Sequence, residues 1–153
     1  MYETRVTRHI DAPPAVIYRA LLDGDAIAQW RVPDGMTCQV HVFEPRTGGA
    51  FRVSLTYDAP QAEGKSAGRT DTYRGHFLEL VQDHKVVEQL QFETEDAVMA
   101  APMTMTTTLT PAAGGGTDVS LHHQGVPDAV PAADNETGTR MALDRLAALA
   151  VRM

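Results

Sequence analysis

The stretch Glu44-Pro45-Arg46-Thr47-Gly48-Gly49-Ala50-Phe51, EPRTGGAF, sets a basic residue beside a glycine pair in the first third of the chain. Glycines next to an arginine can cradle a phosphate when they run into a helix N-terminus, whose free N–H groups and dipole hold the anion. Here they run into AFRVSLTY, where Phe51, Val53, Leu55 and Tyr57 alternate with Arg52, Ser54 and Thr56. That is the period of a strand. The preceding MTCQVHVF alternates too, with Cys38, Val40 and Val42 on one side. The glycine pair therefore predicts a hairpin, with both glycines supplying positive-φ positions. Arg46 is expected to brace the turn through Glu44 rather than to bind substrate.

Outward from this hairpin, strands are expected around Arg69–Leu80, Lys85–Thr94, Met103–Thr110 and Asp118–His123. A polar loop, Asp58 to Gly68, precedes them, and short turn-rich pieces join them, which means an antiparallel meander. Upstream, TRVTRHI alternates as a strand, with Val6, Arg8 and Ile10 on one side. Asp11 then stands before Ala12-Pro13-Pro14 as the expected cap of a short helix ending at Asp23-Gly24, with proline in its first turn. A second short helix covers Asp25 to Trp30, and Pro33-Asp34-Gly35 forms a turn. A final helix spans Pro131 to Arg152, with Met141, Ala142, Leu146, Leu149, Ala150 and Met153 on one face. About 20 residues give a rod of roughly 30 Å, long enough to lie across a whole sheet. The fold class is α+β: a curved antiparallel sheet of six or seven strands around a long C-terminal helix, with two short helices after the first strand. One helix cannot fill the concavity of such a sheet, so a cavity is expected between them.

The chain has 153 residues, 13 basic against 20 acidic, and a formal net charge of −7. A single domain over residues 1–153 is expected. The acidic balance opposes nucleic-acid or anionic-membrane binding, which needs clustered Lys and Arg. No apolar run approaches the ~20 residues of a bilayer span. The N-terminal MYETRVTRHIDAPP has no apolar signal-peptide core. The lone cysteine, Cys38, suits a reducing compartment and reads as a small strand hydrophobe. The expectation is a cytoplasmic protein, monomeric or homodimeric, without membrane insertion.

With the pattern complete, the runs IDAPPAVIYRALLD, EPRTGGAFR, YRGHFLEL, KVVEQLQF, MTMTTTLTP, GGTDVSLHHQGVP and GTRMALDRLAAL, with Trp30, resemble the START-like (SRPBCC) superfamily. Within it they are similar to the group named for the activator of the heat-shock-protein-90 ATPase. The resemblance spans nearly the whole chain and implies a helix-grip fold, as in polyketide cyclases, lipid carriers and hormone-binding proteins that use the cavity between sheet and helix. Gly138-Thr139 departs from the Gly-Trp usual in that group, and the missing indole is expected to reshape the cavity near Gly138.

The candidate ligand-binding residues are Trp30, Phe51, Val53, Leu55, Tyr73, Phe77, Met103, Met105 and His123. The aromatic set on these elements also includes Tyr57 and Phe92. Tyr73 and Trp30 join an apolar body to a polar tip that can orient a ligand. Met99, Met103 and Met105 offer an adaptable wall. Core packing is the competing account of these side chains. His123 shares parity with Val119 and Leu121 and titrates near pH 6.5 when unperturbed. Asp71 with Arg69 or Arg74 is a further candidate pair. No metal site is expected: His122 and His123 face opposite sides of a strand, and the other histidines lack ligand spacing. No nucleophile motif appears. The expected partner is a small hydrophobic or aromatic molecule, without a cofactor. A cyclase- or hydrolase-like reaction using His123, Tyr73 or Asp71 is the alternative. Stimulation of a chaperone ATPase ranks last, since those activators carry an additional N-terminal domain not expected here.

Overall fold

The computed structural model describes residues 1–58, 68 and 70–153. The element order is β1 (Tyr2–Ile10), α1 (Pro14–Leu21), α2 (Gly24–Trp30), β2 (Met36–Phe43), β3 (Ala50–Tyr57), β4 (Thr70–Val81), β5 (Lys85–Phe92), β6 (Met103–Pro111), β7 (Thr117–Val126) and α3 (Ala132–Ala150). The strands form one sheet ordered β1-β7-β6-β5-β4-β3-β2, every neighbouring pair antiparallel. Six strands thus run as a meander, and the chain's first strand closes one edge beside its last. The sheet curves, and α3 packs on it in the helix-grip arrangement.

The hairpin at Gly48-Gly49 forms as expected, but the two glycines do different work. Gly48 has φ +80°, a conformation costly for residues with a Cβ. Gly49 does not; there a Cβ would lie 2.1 Å from the Glu44 carbonyl oxygen. Close approach, rather than a positive φ, requires the second glycine. The turn is laced to β4: Gly48 N–H donates to the Phe77 carbonyl at 2.7 Å, and Phe77 N–H donates to Gly49 at 2.9 Å. Arg46 lies 3.6 Å from Glu44, whose carboxylate also accepts from the Ala50 N–H at 2.8 Å.

Two local expectations are corrected. Asp11 caps no helix: α1 starts at Pro14 with Pro13 in the cap position, and Asp11 pairs with His9 instead. A cap must sit directly before the first helical turn, and Asp11 lies too early. In β2, a register shift between Val40 and Val42 breaks the alternation. Val42 turns outward, and Phe43 meets the Phe77 ring edge-on at 5.7 Å. Such an irregularity reverses side-chain parity downstream.

The core lies between the concave face and the helices. Phe51, Val53, Tyr73, Phe77, Val86, Leu90, Met103, Met105, Leu109, Val119 and Leu121 enter it from the sheet. Leu143, Leu146, Leu149 and Ala150 enter from α3. Leu143 is fully buried, whereas Met153, expected on this face, is 48% exposed beyond the helix end. Gly75 lies on β4 between Tyr73 and Phe77; a Cβ there would meet the Phe51 ring at 2.8 Å and the Gln89 carbonyl at 1.9 Å. Its missing side chain admits Phe51, whose ring centroid is 5.3 Å from Phe77 and 6.1 Å from Tyr73.

Candidate functional site

A cavity of about 430 Å³ lies between the sheet, the end of α2 and the first half of α3. Leu55, Tyr57, Tyr73, Leu90 and Phe92 supply one wall. Met103, Met105, Leu121, His123 and Val126 continue it, and Trp30 to Asp34 close another side. Asn135, Gly138, Thr139, Met141 and Ala142 face it from α3. Six of the nine candidate residues line this space: Trp30, Leu55, Tyr73, Met103, Met105 and His123. Phe51, Val53 and Phe77 do not; they are buried in the core around Gly75, away from the cavity wall. Met99 lies outside the lining, while Met36 and Met141 are in it.

Trp30 contributes only its ring. Its indole N–H donates to the Ala20 carbonyl at 2.9 Å, tying α2 to α1. That bond satisfies one of the carbonyls a helix leaves open at its C-terminus.

Tyr73 and His123 are different. Tyr73 Oη and His123 Nε2 are buried without a hydrogen-bond partner. Burial raises the Tyr73 phenol to about 12, against an opposing effect from Arg31. Burial likewise lowers His123 to about 4, with the Arg31 and His122 charges adding to the effect. At neutral pH the phenol is protonated and the imidazole neutral. His123 Nδ1 lies 3.1 Å from Asn135 Nδ2, and Thr4 Oγ1 donates to Asn135 Oδ1 at 2.5 Å. This relay orients the amide so that its NH₂ donates to Nδ1, leaving the His123 proton on Nε2. His122 points the other way and lies 3.5 Å from Glu3.

The sequence reading missed the charged pair beside these residues. Arg31 Nη1 donates to Glu88 Oε1 at 2.8 Å, with side chains only 15% and 7% exposed. The guanidinium carbon stands 5.3 Å from the Tyr73 ring centroid, and Nη2 lies 3.7 Å from Met105 Sδ. Burial opposes the Arg31 charge, but Glu88 outweighs it and holds the guanidinium above its ordinary pKa. The signal was visible in KVVEQLQF, where Glu88 shares parity with Val86 and Leu90. A carboxylate on an apolar face calls for a buried cation, and Arg31 stands directly after Trp30.

Asp71 is buried and lines the cavity, whereas Arg74 is exposed near Glu93. The Arg74–Asp71 pairing is thus not formed; Arg69 lies outside the described residues. Cys38 is half-buried, and burial raises its thiol against an opposing effect from Arg31. Among the described residues, no group of three or more His, Cys, Asp or Glu is placed to hold a metal ion. Among them, too, no helix is long and apolar enough to cross a membrane.

A curved seven-stranded antiparallel sheet gripping a C-terminal helix over a cavity defines a START-like protein. Residues 11–150 match the family model described as Activator of Hsp90 ATPase homolog 1-like protein, and the chain belongs to that family. No curated protein matches it by sequence. A solved protein from Chromobacterium violaceum is 32% identical, with 97% of each chain covered and a TM-score of 0.84. A protein from Rhodobacter sphaeroides is 23% identical at TM-score 0.80, covering 98% of this chain and 92% of that one. The AHSA1 protein from Silicibacter pomeroyi is 19% identical at TM-score 0.79, covering 99% and 100%. These last two show likeness of fold.

Proposed function

We propose that the protein binds a small, mainly apolar or aromatic molecule between its sheet and α3. The carrying observation is the cavity of about 430 Å³ walled by Trp30, Leu55, Tyr73, Met103 and Met105. Its size falls within the roughly 300–1,000 Å³ typical of small-molecule sites, and a mostly apolar lining with a few polar groups is their usual composition. The methionines give a wall that adapts to ligand shape. His123 and Tyr73 suit hydrogen bonding better than proton transfer: burial holds the first near 4 and the second near 12, both far from the neutral range in which acid–base catalysts work best. The site is built to hydrogen-bond.

Native mass spectrometry of the purified protein tests this reading through co-purified small molecules, with displacement of an environment-sensitive apolar dye as the second measurement. Thr139 lines the cavity, so Thr139→Trp is expected to fill it and abolish dye binding while leaving the fold intact. No bound molecule and no dye binding to the wild-type protein would count against the proposal.

A further inference from the structure

Resting on that reading, we infer that the ligand carries a carbonyl-type acceptor oxygen, bound by the Tyr73 hydroxyl and the His123 Nε2–H. Both residues line the cavity, and their Oη and Nε2 atoms are buried with no partner among the described residues. Buried polar atoms are almost always paired, and each exception calls for a cause such as a missing ligand. Leaving a buried donor unsatisfied is costly; this wall carries two.

Their hydrogen-bonding sense comes from the surroundings. The Thr4–Asn135 relay holds Nδ1 as an acceptor, so Nε2 is a donor. Tyr73 keeps its proton and offers an O–H. A hydrocarbon would leave both donors unmet, and an ammonium would set its N–H groups against the Nε2–H, with only the Tyr73 oxygen lone pairs to accept them. The Arg31 cation above the Tyr73 ring adds positive potential on the same side. Two carboxylates in or beside the wall are held by arginines. Glu88 holds Arg31, and Asp34 pairs with Arg145. Asp71 already has an interaction of its own, and Asp134 is exposed in the first turn of α3. An apolar ring system bearing a ketone, quinone or enolate oxygen fits this distribution.

The test compares three probes of one carbon skeleton by isothermal titration calorimetry at neutral pH: 1-tetralone, tetralin and 1-aminotetralin. The ketone is expected to bind about tenfold or more tightly than the hydrocarbon, the equivalent of roughly one net hydrogen bond. The amine is expected to bind most weakly. Tyr73→Phe should reduce tetralone affinity toward that of tetralin, leave tetralin unchanged and leave thermal stability equal or higher, because it removes an unsatisfied buried hydroxyl. His123→Leu should lower the ketone preference independently. Equal binding of tetralone and tetralin would overturn the inference while leaving a hydrophobic site in place. Preference for the amine would overturn it too, with Asp71 as the specificity group. Failure of all three probes to bind would remove both this inference and the function it rests on. A ketone preference surviving in both variants would refute the assigned donors.

Discussion

The Arg31–Glu88 pair permits a quantitative test of how this cavity is held. At 2.8 Å, with side chains 15% and 7% exposed, the two charges are nearly dry. Removing one partner of such a pair leaves an uncompensated charge among Met105, Tyr73 and the β5–β6 wall, at a cost of about 3–5 kcal/mol. The residual exposure of Arg31 admits some water, so the lower end, about 3 kcal/mol, is expected for Arg31→Met or Glu88→Leu alone. Replacing both by residues of similar volume removes the desolvation penalty together with the attraction. Arg31→Met/Glu88→Leu should therefore be near neutral, or stabilising by about 1 kcal/mol or more. Urea titrations monitored by far-UV circular dichroism give all four corners of the cycle. The reasoning is refuted if the single variants each lose less than about 1 kcal/mol, as surface pairs do. Additive losses in the double variant would refute it as well.

Single contacts carry further outcomes. His123 takes up its proton near 6.5 when unfolded but only near 4 when folded, so within that window the unfolded chain holds the extra proton and stability falls as pH drops. Between about pH 7.5 and pH 5 this one residue should remove about 2 kcal/mol, a loss that His123→Gln abolishes in parallel denaturation curves. Gly48→Ala, at φ +80°, should cost roughly 1–2 kcal/mol by thermal melting, and Gly48→Asn less. Trp30→Phe strands the Ala20 carbonyl and should cost roughly 1–3 kcal/mol by calorimetry.

Most of the fold was legible because alternation and turn chemistry agree along the chain. Each strand was found, and the EPRTGGAF hairpin was assigned from the strand its glycines run into rather than from the glycines themselves. What alternation cannot supply is position along a strand. Phe51, Val53 and Phe77 share the inward face with Leu55 and Tyr73, yet pack tightly near Gly75 while the latter pair border the cavity. Which end of a strand lies under open space depends on where α2 ends and how α3 crosses, and neither is encoded in a two-residue period. The register shift near Val42 escaped for a similar reason: an extra residue leaves no compositional mark in MTCQVHVF. Arg31 and Asn135 escaped because their partners, Glu88 and His123, lie 57 and 12 residues away.

The polar groups at the cavity, Tyr73 and His123 foreseen and Arg31 and Glu88 missed, give it its character. A core designed only for stability would place hydrophobes at Arg31, Tyr73, Glu88 and His123, because a buried ion pair is weak support and an unpaired donor is a liability. Here Arg31, Tyr73 and His123 line one space and Glu88 holds Arg31 beside it: Arg31 bonds Glu88, overlies Tyr73 and adds to the burial that lowers the His123 pKa. Meanwhile the cluster around Gly75 and the three phenylalanines Phe43, Phe51 and Phe77 is packed ring against ring. The inward face thus combines an aromatic cluster that supplies stability with a polar-edged cavity wall that gives some of it up. Local instability of this kind concentrates at binding sites. A ligand able to satisfy both orphan donors would recover what the unpaired wall loses, so the same substitutions that stabilise the free protein should weaken its selectivity.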